Sequence, residues 1–220
     1  MRPVIGVIVI GGDRSRIRGD VGCPETYSEP VAFETAAGTS MRQIFDGRER
    51  DMLPSLLRAG QTLVERGATV LTTTCGLLTA LQRDLAARFD VPVAVSPLLR
   101  VPSLLKVVAP RKIGVVTAIA DLLTPARLAA AGIAPECVEV LDLSGTRHFV
   151  PALRDGRALD ARLAEREICE CVRAAMSPEV GGLVAECANL PPYSAALRAA
   201  TGLPVWDALD QLRRLTRAWL

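Results

Sequence analysis

Seven short apolar runs punctuate the chain, at 4–10, 69–73, 91–95, 113–117, 137–141, 182–185 and 204–206. They are rich in Val, Ile and Leu and do not alternate with polar residues, which predicts strands buried on both faces. Between several of them the apolar positions move to helical spacing, over 52–65, 77–87, 122–131, 159–175, 195–200 and 209–220. This alternation predicts an α/β fold in which mainly parallel sheets are flanked by helices. The stretch 11–39 has no clean period and carries Gly11, Gly12, Gly19 and Gly22 ahead of Pro24. Because it follows the first strand, it reads as a candidate lid or binding loop. Its glycine spacing matches neither a dinucleotide fingerprint nor a phosphate-binding P-loop.

The pattern repeats. When Cys75 is laid on Cys187, Leu71 falls on Leu183, Leu85 on Leu197, and Val91-Pro92-Val93 on Leu203-Pro204-Val205, all at a step of 112 residues. Ile5-Gly6-Val7-Ile8 likewise echoes Ile113-Gly114-Val115-Val116 at a step of 108. Two pseudo-symmetric α/β halves follow, 1–98 and 99–206, with a last helix over 207–220 expected to pack back on the first half. An active site in the cleft between the halves is the corresponding expectation.

Half of the residues are hydrophobic and only 4% aromatic, so the core has to be built from aliphatic side chains. The formal net charge of +2 comes from 26 basic and 24 acidic residues spread along the chain, which gives no footprint for nucleic acid. No apolar run is long enough to span a bilayer and no export signal is evident, so we expect a cytoplasmic protein whose six cysteines are reduced. A homo-oligomer, dimer or larger, is compatible with the residues, which do not fix the assembly.

Matched cysteines change the picture. Related by an approximate two-fold axis, Cys75 and Cys187 would face a small ligand from opposite sides, each at a predicted helix N-terminus whose dipole lowers a thiol pKa. One thiolate can then remove a proton while the opposite thiol delivers another, inverting a stereocentre next to a carboxylate. Backbone N–H groups and the hydroxyls of Thr74 and Thr117 are candidates to hold the carboxylate on which charge develops. The scheme needs no metal, pyridoxal or nicotinamide, so no cofactor is expected.

The stretches LVAECANLPPY, LTTTCGLL and IGVVTAIADLLTPARL resemble the aspartate/glutamate racemase superfamily, which also includes hydantoin racemases, maleate isomerases and arylmalonate decarboxylases. The resemblance implies two pseudo-symmetric α/β domains, Cys75 and Cys187 as paired acid/base thiols, and chemistry without a cofactor. It implies that Thr74, Gly76, Thr117, Ala188 and Asn189 gather the substrate carboxylate and that Gly11 and Gly12 belong to a loop closing over the ligand. Glutamate racemases typically follow the two cysteines with Asn-Thr and Thr-His, where this chain has Gly76-Leu77 and Ala188-Asn189. The expected activity is therefore an isomerase, a racemase or epimerase acting on an amino acid, hydantoin or related acid. Rival expectations are a decarboxylase or cis–trans isomerase that relies on one main cysteine, and a sensor that binds a small acid without turning it over.

Other residues carry less. Cys169 and Cys171 form a CxC on a predicted helix, and with His148 as the lone histidine no zinc site is expected. Cys137 reads as core and Cys23 as an exposed loop thiol. Arg14, Arg16 and Arg18 either screen an anionic ligand or are simply solvated, and Glu186 either orients the site, hydrogen-bonds a substrate amine or caps the following helix.

Overall fold

The computed structural model describes residues 3–11 and 16–217. Among them are two four-stranded sheets built to one plan. The first contains β1 (Ile5–Val9), β2 (Val31–Thr35), β3 (Val70–Thr73) and β4 (Val93–Ala94) in the order β2-β1-β3-β4. The second contains β5 (Lys112–Thr117), β6 (Val138–Asp142), β7 (Val180–Ala185) and β8 (Val205–Trp206) in the order β6-β5-β7-β8. Every pairing is parallel, so all strands of a sheet end on the same edge.

The helices are α1 (Met41–Phe45), α2 (Leu53–Glu65), α3 (Gln82–Ala86), α4 (Val101–Val108), α5 (Pro125–Ala130), α6 (Phe149–Asp155), α7 (Ala161–Ala175), α8 (Ser194–Thr201) and α9 (Ala208–Arg217). They cover both sheets, which gives the α/β architecture that the alternating pattern predicts. Ala208 and Leu212 of α9 pack with Ile5, Val7 and Val70 of the first sheet.

Register shows why the repeat is visible in the residues. Leu71 pairs with Val93 and Leu183 with Val205, the same positions that the 112-residue step aligns. The Ile-Gly-Val echo has a steric cause. A Cβ on Gly6 would lie 2.6 Å from Leu71 Cδ2, and one on Gly114 would lie 2.7 Å from Leu183 Cδ2. In each sheet the leucine of the third strand in sequence fills the space that a side chain on the first would need.

The two halves share a core. Ile113, Val115 and Val184 of the second sheet belong to the same buried cluster as Ile8, Leu71 and Leu78 of the first. A buried ion pair joins them as well, Arg127 to Glu49 at 2.9 Å, with Arg127 also donating to the carbonyl of Ile44 at 3.0 Å. Breaking one partner of such a pair strands a buried charge, so it fixes the halves' mutual orientation.

Four expectations need correction. The stretch 11–39 is not wholly irregular, because its residues 31–35 form β2 alongside β1. The helix read at 77–87 is split into a 3-10 turn at Leu78–Leu81 and α3, and the one at 122–131 shortens to α5. Cys23 is not exposed but 4% accessible, its thiol donating to Glu25 Oε2 at 3.0 Å.

Candidate active site

The strands β1, β3, β5 and β7 end where the two sheets meet, and their following residues line one cavity. From the first half come Ile10, Thr74, Cys75 and Gly76; from the second come Thr117, Glu186, Cys187 and Asn189. Met41, Phe45, Leu77, Ile119 and Leu122 supply apolar walls. The cavity measures about 60 Å³ over positions open to the centre of a water molecule. One water needs roughly 10–15 Å³ on that measure, so the space suits a small acid.

Backbone bonds set the two thiols in matched places. Thr74 donates its N–H to Ile8 O at 3.1 Å, and Glu186 donates its own to Val116 O at 2.9 Å, continuing each sheet by one residue before the cysteine. Neither cysteine starts an α-helix, which corrects the expected helix-dipole activation. After Cys75 come a turn and a 3-10 helix before α3, and α8 begins only at Ser194. Burial dominates instead. It pushes the Cys187 thiol well above its ordinary range, with Glu186, Cys75 and Asp20 adding to the rise through their negative charge.

Around Cys187 runs a chain of polar contacts that the sequence reading missed. The thiol lies 3.5 Å from Asn189 Oδ1, Asn189 Nδ2 donates to Asp20 Oδ2, and Asp20 Oδ1 accepts from Arg16 Nη1 at 2.8 Å. Val21 also donates its N–H to the carbonyl of Ala188 at 3.1 Å. The loop after β1 is thereby fastened to the second cysteine's turn, with Arg16 in the cavity wall. Arg16 and Asp20 are both largely buried, so this arginine is not the solvated loop residue that composition suggests. Only the pairing distance of four residues between them hinted at it.

Glu186 lies in the wall beside Cys187, 2% accessible, with Oε2 accepting from Thr117 Oγ1 at 2.9 Å. Burial raises its carboxyl to a pKa of about 7, against smaller lowering effects of Thr117 and Arg127. The helix-cap alternative falls away, since α8 starts eight residues later. Gly76 is glycine for a reason that lies here: a Cβ would collide with the carbonyl oxygen and Oε1 of Glu186.

The remaining candidates sit elsewhere. Gly11 and Ala188 are not among the described residues lining the cavity. Gly11 donates its N–H to Thr39 Oγ1 at 3.4 Å, and Ala188 packs with Val7, Val21 and Val70. Gly12 and Arg14 lie outside the described residues. His148 precedes α6 and donates its N–H to Glu167, and Cys169 and Cys171 pack against the second-half core. Among the described residues no group of three His, Cys, Asp or Glu side chains is placed to hold a metal ion. Nor is any described helix long and apolar enough to cross a membrane.

Two parallel four-stranded sheets of matched order are the fold that the sequence resemblance implies. Solved structures agree: allantoin racemase from Klebsiella pneumoniae superposes with a TM-score of 0.68 at 16% identity, covering 98% of this chain and 86% of that one. A point mutant of arylmalonate decarboxylase in its sulfate-associated form gives 0.64 at 18%, covering 99% and 95%. Likeness at such identity carries the fold alone, and no family model matches the chain.

Sequence relatives are more specific. A protein of Durusdinium sp. clade D named dimethylsulfoniopropionate lyase is 27% identical over 224 residues, covering 93% of this chain and 71% of that protein. Dimethylsulfoniopropionate lyase 7 of Emiliania huxleyi is 29% identical over 226 residues, covering 94% of this chain and 64% of that protein. Against other lyases from the same organism the chain spans about half of their length, 57% and 44% in two cases. These relatives overturn the expected racemase and, with it, the isomerase class: proteins that share nearly the whole chain are named as lyases.

Proposed function

We propose that this protein is a lyase that eliminates a neutral sulfide from a small carboxylic acid bearing a sulfonium group on its β-carbon, with dimethylsulfoniopropionate as the first substrate to test. The observation that carries the reading is the similarity, over more than nine-tenths of the chain, to proteins named for that activity. The cavity holds the groups such an elimination uses.

The reaction removes a proton from the carbon next to the carboxylate and breaks the bond between the β-carbon and sulfur. The C–H electron pair becomes the new C=C bond, and the C–S pair leaves on sulfur. Dimethyl sulfide, acrylate and a proton result, and charge balances. We assign proton removal to Cys187. A thiol held well above its ordinary pKa is a strong base once ionised, which suits a weakly acidic C–H. Its thiolate is disfavoured beside Glu186 and Asp20, and a sulfonium cation entering the same cavity offsets that cost. Arg16 and the hydroxyl of Thr74 are the wall groups suited to the substrate carboxylate, on which negative charge builds as the proton leaves. Cys75, 5% accessible and lining the same cavity, is assigned to positioning the reacting carbon rather than accepting its proton. Apolar walls exclude water and strengthen each of these interactions.

Dimethyl sulfide measured in the headspace, with acrylate followed by proton NMR, tests the assignment. Stoichiometric release of both from dimethylsulfoniopropionate is expected. Purified, folded protein that releases neither would sink it.

A further inference from the structure

Among the described residues, Glu186 Oε1 in the cavity wall is a buried polar atom without a hydrogen-bond partner. Its sister oxygen is satisfied by Thr117 at 2.9 Å, so the carboxyl is half-satisfied at 2% accessibility. Leaving such an acceptor bare is costly, and native proteins keep one where it has a use. The neighbouring main chain is shaped around it, since Gly76 is the residue that lets Oε1 stay where it is.

We propose that Glu186 is the specificity-determining residue of the cavity: its carboxylate is the counter-charge that selects a substrate with a fixed positive head over a neutral one of the same shape. The proposal deepens the lyase reading and rests on it for the class of substrate. An onium centre has no N–H to donate, so it is recognised by through-space charge and by apolar contact with its methyl groups. Glu186 provides the charge; Met41, Phe45 and Ile119 provide the contact.

Among the described residues, the arginines at the cavity and the one acting on Glu186 are paired with other carboxylates. Arg127, whose charge acts on Glu186, is paired with Glu49 at 2.9 Å. Arg16 is paired with Asp20 at 2.8 Å, and Arg154 at the cavity is paired with Asp155 at 2.8 Å. The other ionisable groups nearby, Cys75, Cys187 and Asp20, are acids. An incoming cation is thus the partner the carboxylate lacks. With its pKa near 7 in the empty site, Glu186 also gives up a proton when that cation binds at slightly acid pH.

A matched pair of unreactive ligands tests this by calorimetry. Trimethylammoniopropionate and 4,4-dimethylpentanoate share a carboxylate and a shape, and differ in nitrogen or carbon at the head. Wild type is expected to prefer the onium by about tenfold or more, and Glu186→Gln to bring the two within about twofold while still binding both. Loss of fold lowers both affinities and leaves the ratio, so the ratio reports recognition. Wild type without the preference, or Glu186→Gln that keeps it, would overturn the proposal.

Should Glu186→Gln not fold, proton release by wild type decides. Titrations at pH about 6 in buffers of different ionisation enthalpy are expected to show close to one proton released with the onium and none with the carbon isostere. Equal release with both overturns the proposal. The lyase reading fails separately: an onium preference that vanishes in Glu186→Gln, with no sulfide from dimethylsulfoniopropionate, keeps this inference and discards that substrate. Sulfide release from a protein indifferent to head charge does the reverse.

Discussion

The two cysteine turns share a backbone and differ in chemistry. Each strand is extended by one residue through an N–H bond to its neighbour, from Thr74 to Ile8 and from Glu186 to Val116, and each then delivers a cysteine to the cavity. At the matched positions, however, Thr74 in one turn corresponds to Glu186 in the other, and Gly76 to Ala188. Thr74 accepts the N–H of Ile10 within its own half, whereas the Cys187 turn is bound to the β1 loop of the other half through Asp20. A symmetric exchange of protons between two thiols would be served by two similar surroundings. Cys187 directly follows an acid and Cys75 a hydroxyl residue, an asymmetry that suits chemistry running in one direction with one base.

The largest expected consequence is an unequal response to removing the thiols. Cys187→Ser should lower kcat for sulfide release by about 10³-fold or more, the range that a general base contributes. Cys75→Ser should lower it by about tenfold, through poorer positioning of the substrate. Comparable losses at both positions would restore a symmetric role and break the comparison.

A second contrast is in the pH dependence of stability. The Glu186 carboxyl is raised in the folded protein from about 4.5 to about 7, so between those values the native state binds more protons than the unfolded state. Stability contributed by the protonated carboxyl is complete below about pH 4.5, falls as pH rises towards 7, and is then flat. The loss is on the order of 3 kcal/mol, read as a falling urea midpoint, and Glu186→Gln should flatten that part of the profile. At the matched position of the first half stands Thr74, which does not titrate.

How much of this was legible varies along the chain. The steps of 112 and 108 residues show up in the sequence because the Leu71–Val93 and Leu183–Val205 pairs and the Gly6 and Gly114 contacts repeat, and packing constraints leave residue signatures. Strand β2 left none, because VAFET is only part-buried and sits at the sheet edge after a long loop. Arg16 reaches the cavity, and its partner Asp20 reaches Asn189, through a loop held by a residue distant in sequence, so local reading saw only a charged glycine-rich stretch. Glu186 stayed ambiguous because its role turned on where α8 begins. The lyase class for which the relatives are named left no mark in the sequence for a chemical reason: elimination and stereoinversion start with the same proton removal next to a carboxylate, and ask for the same residue types.

Glycine swaps sharpen the comparison at smaller energies. Gly76→Ala forces a Cβ against the carbonyl oxygen of Glu186, which belongs to the backbone and cannot rotate away, so a loss of about 3 kcal/mol is expected. The matched change Ala188→Gly removes one methyl from the Val7, Val21 and Val70 cluster and should cost about 1 kcal/mol. Urea denaturation reads both, and similar values would mean that Glu186 does not hold the Gly76 turn in place.

Gly6→Ala and Gly114→Ala test the part of the scaffold in which the halves agree. In each, the nearest atom is the tip of a leucine, Leu71 Cδ2 at 2.6 Å or Leu183 Cδ2 at 2.7 Å, which a small rotation relieves. Behind it the two sites differ. Gly6 is next met by Ala68 Cβ at 2.9 Å, fixed to the main chain, whereas Gly114 meets Leu141 Cδ1 at 3.0 Å and Val180 Cγ1 at 3.1 Å, both on side chains that can turn. Both substitutions should destabilise by about 1–2 kcal/mol, with Gly6→Ala the worse by about half a kilocalorie, and neither should move the onium preference or the ratio of the two cysteine variants. If either glycine change altered those ratios, the sheets and the cavity would be coupled more tightly than a scaffold carrying two independent turns allows.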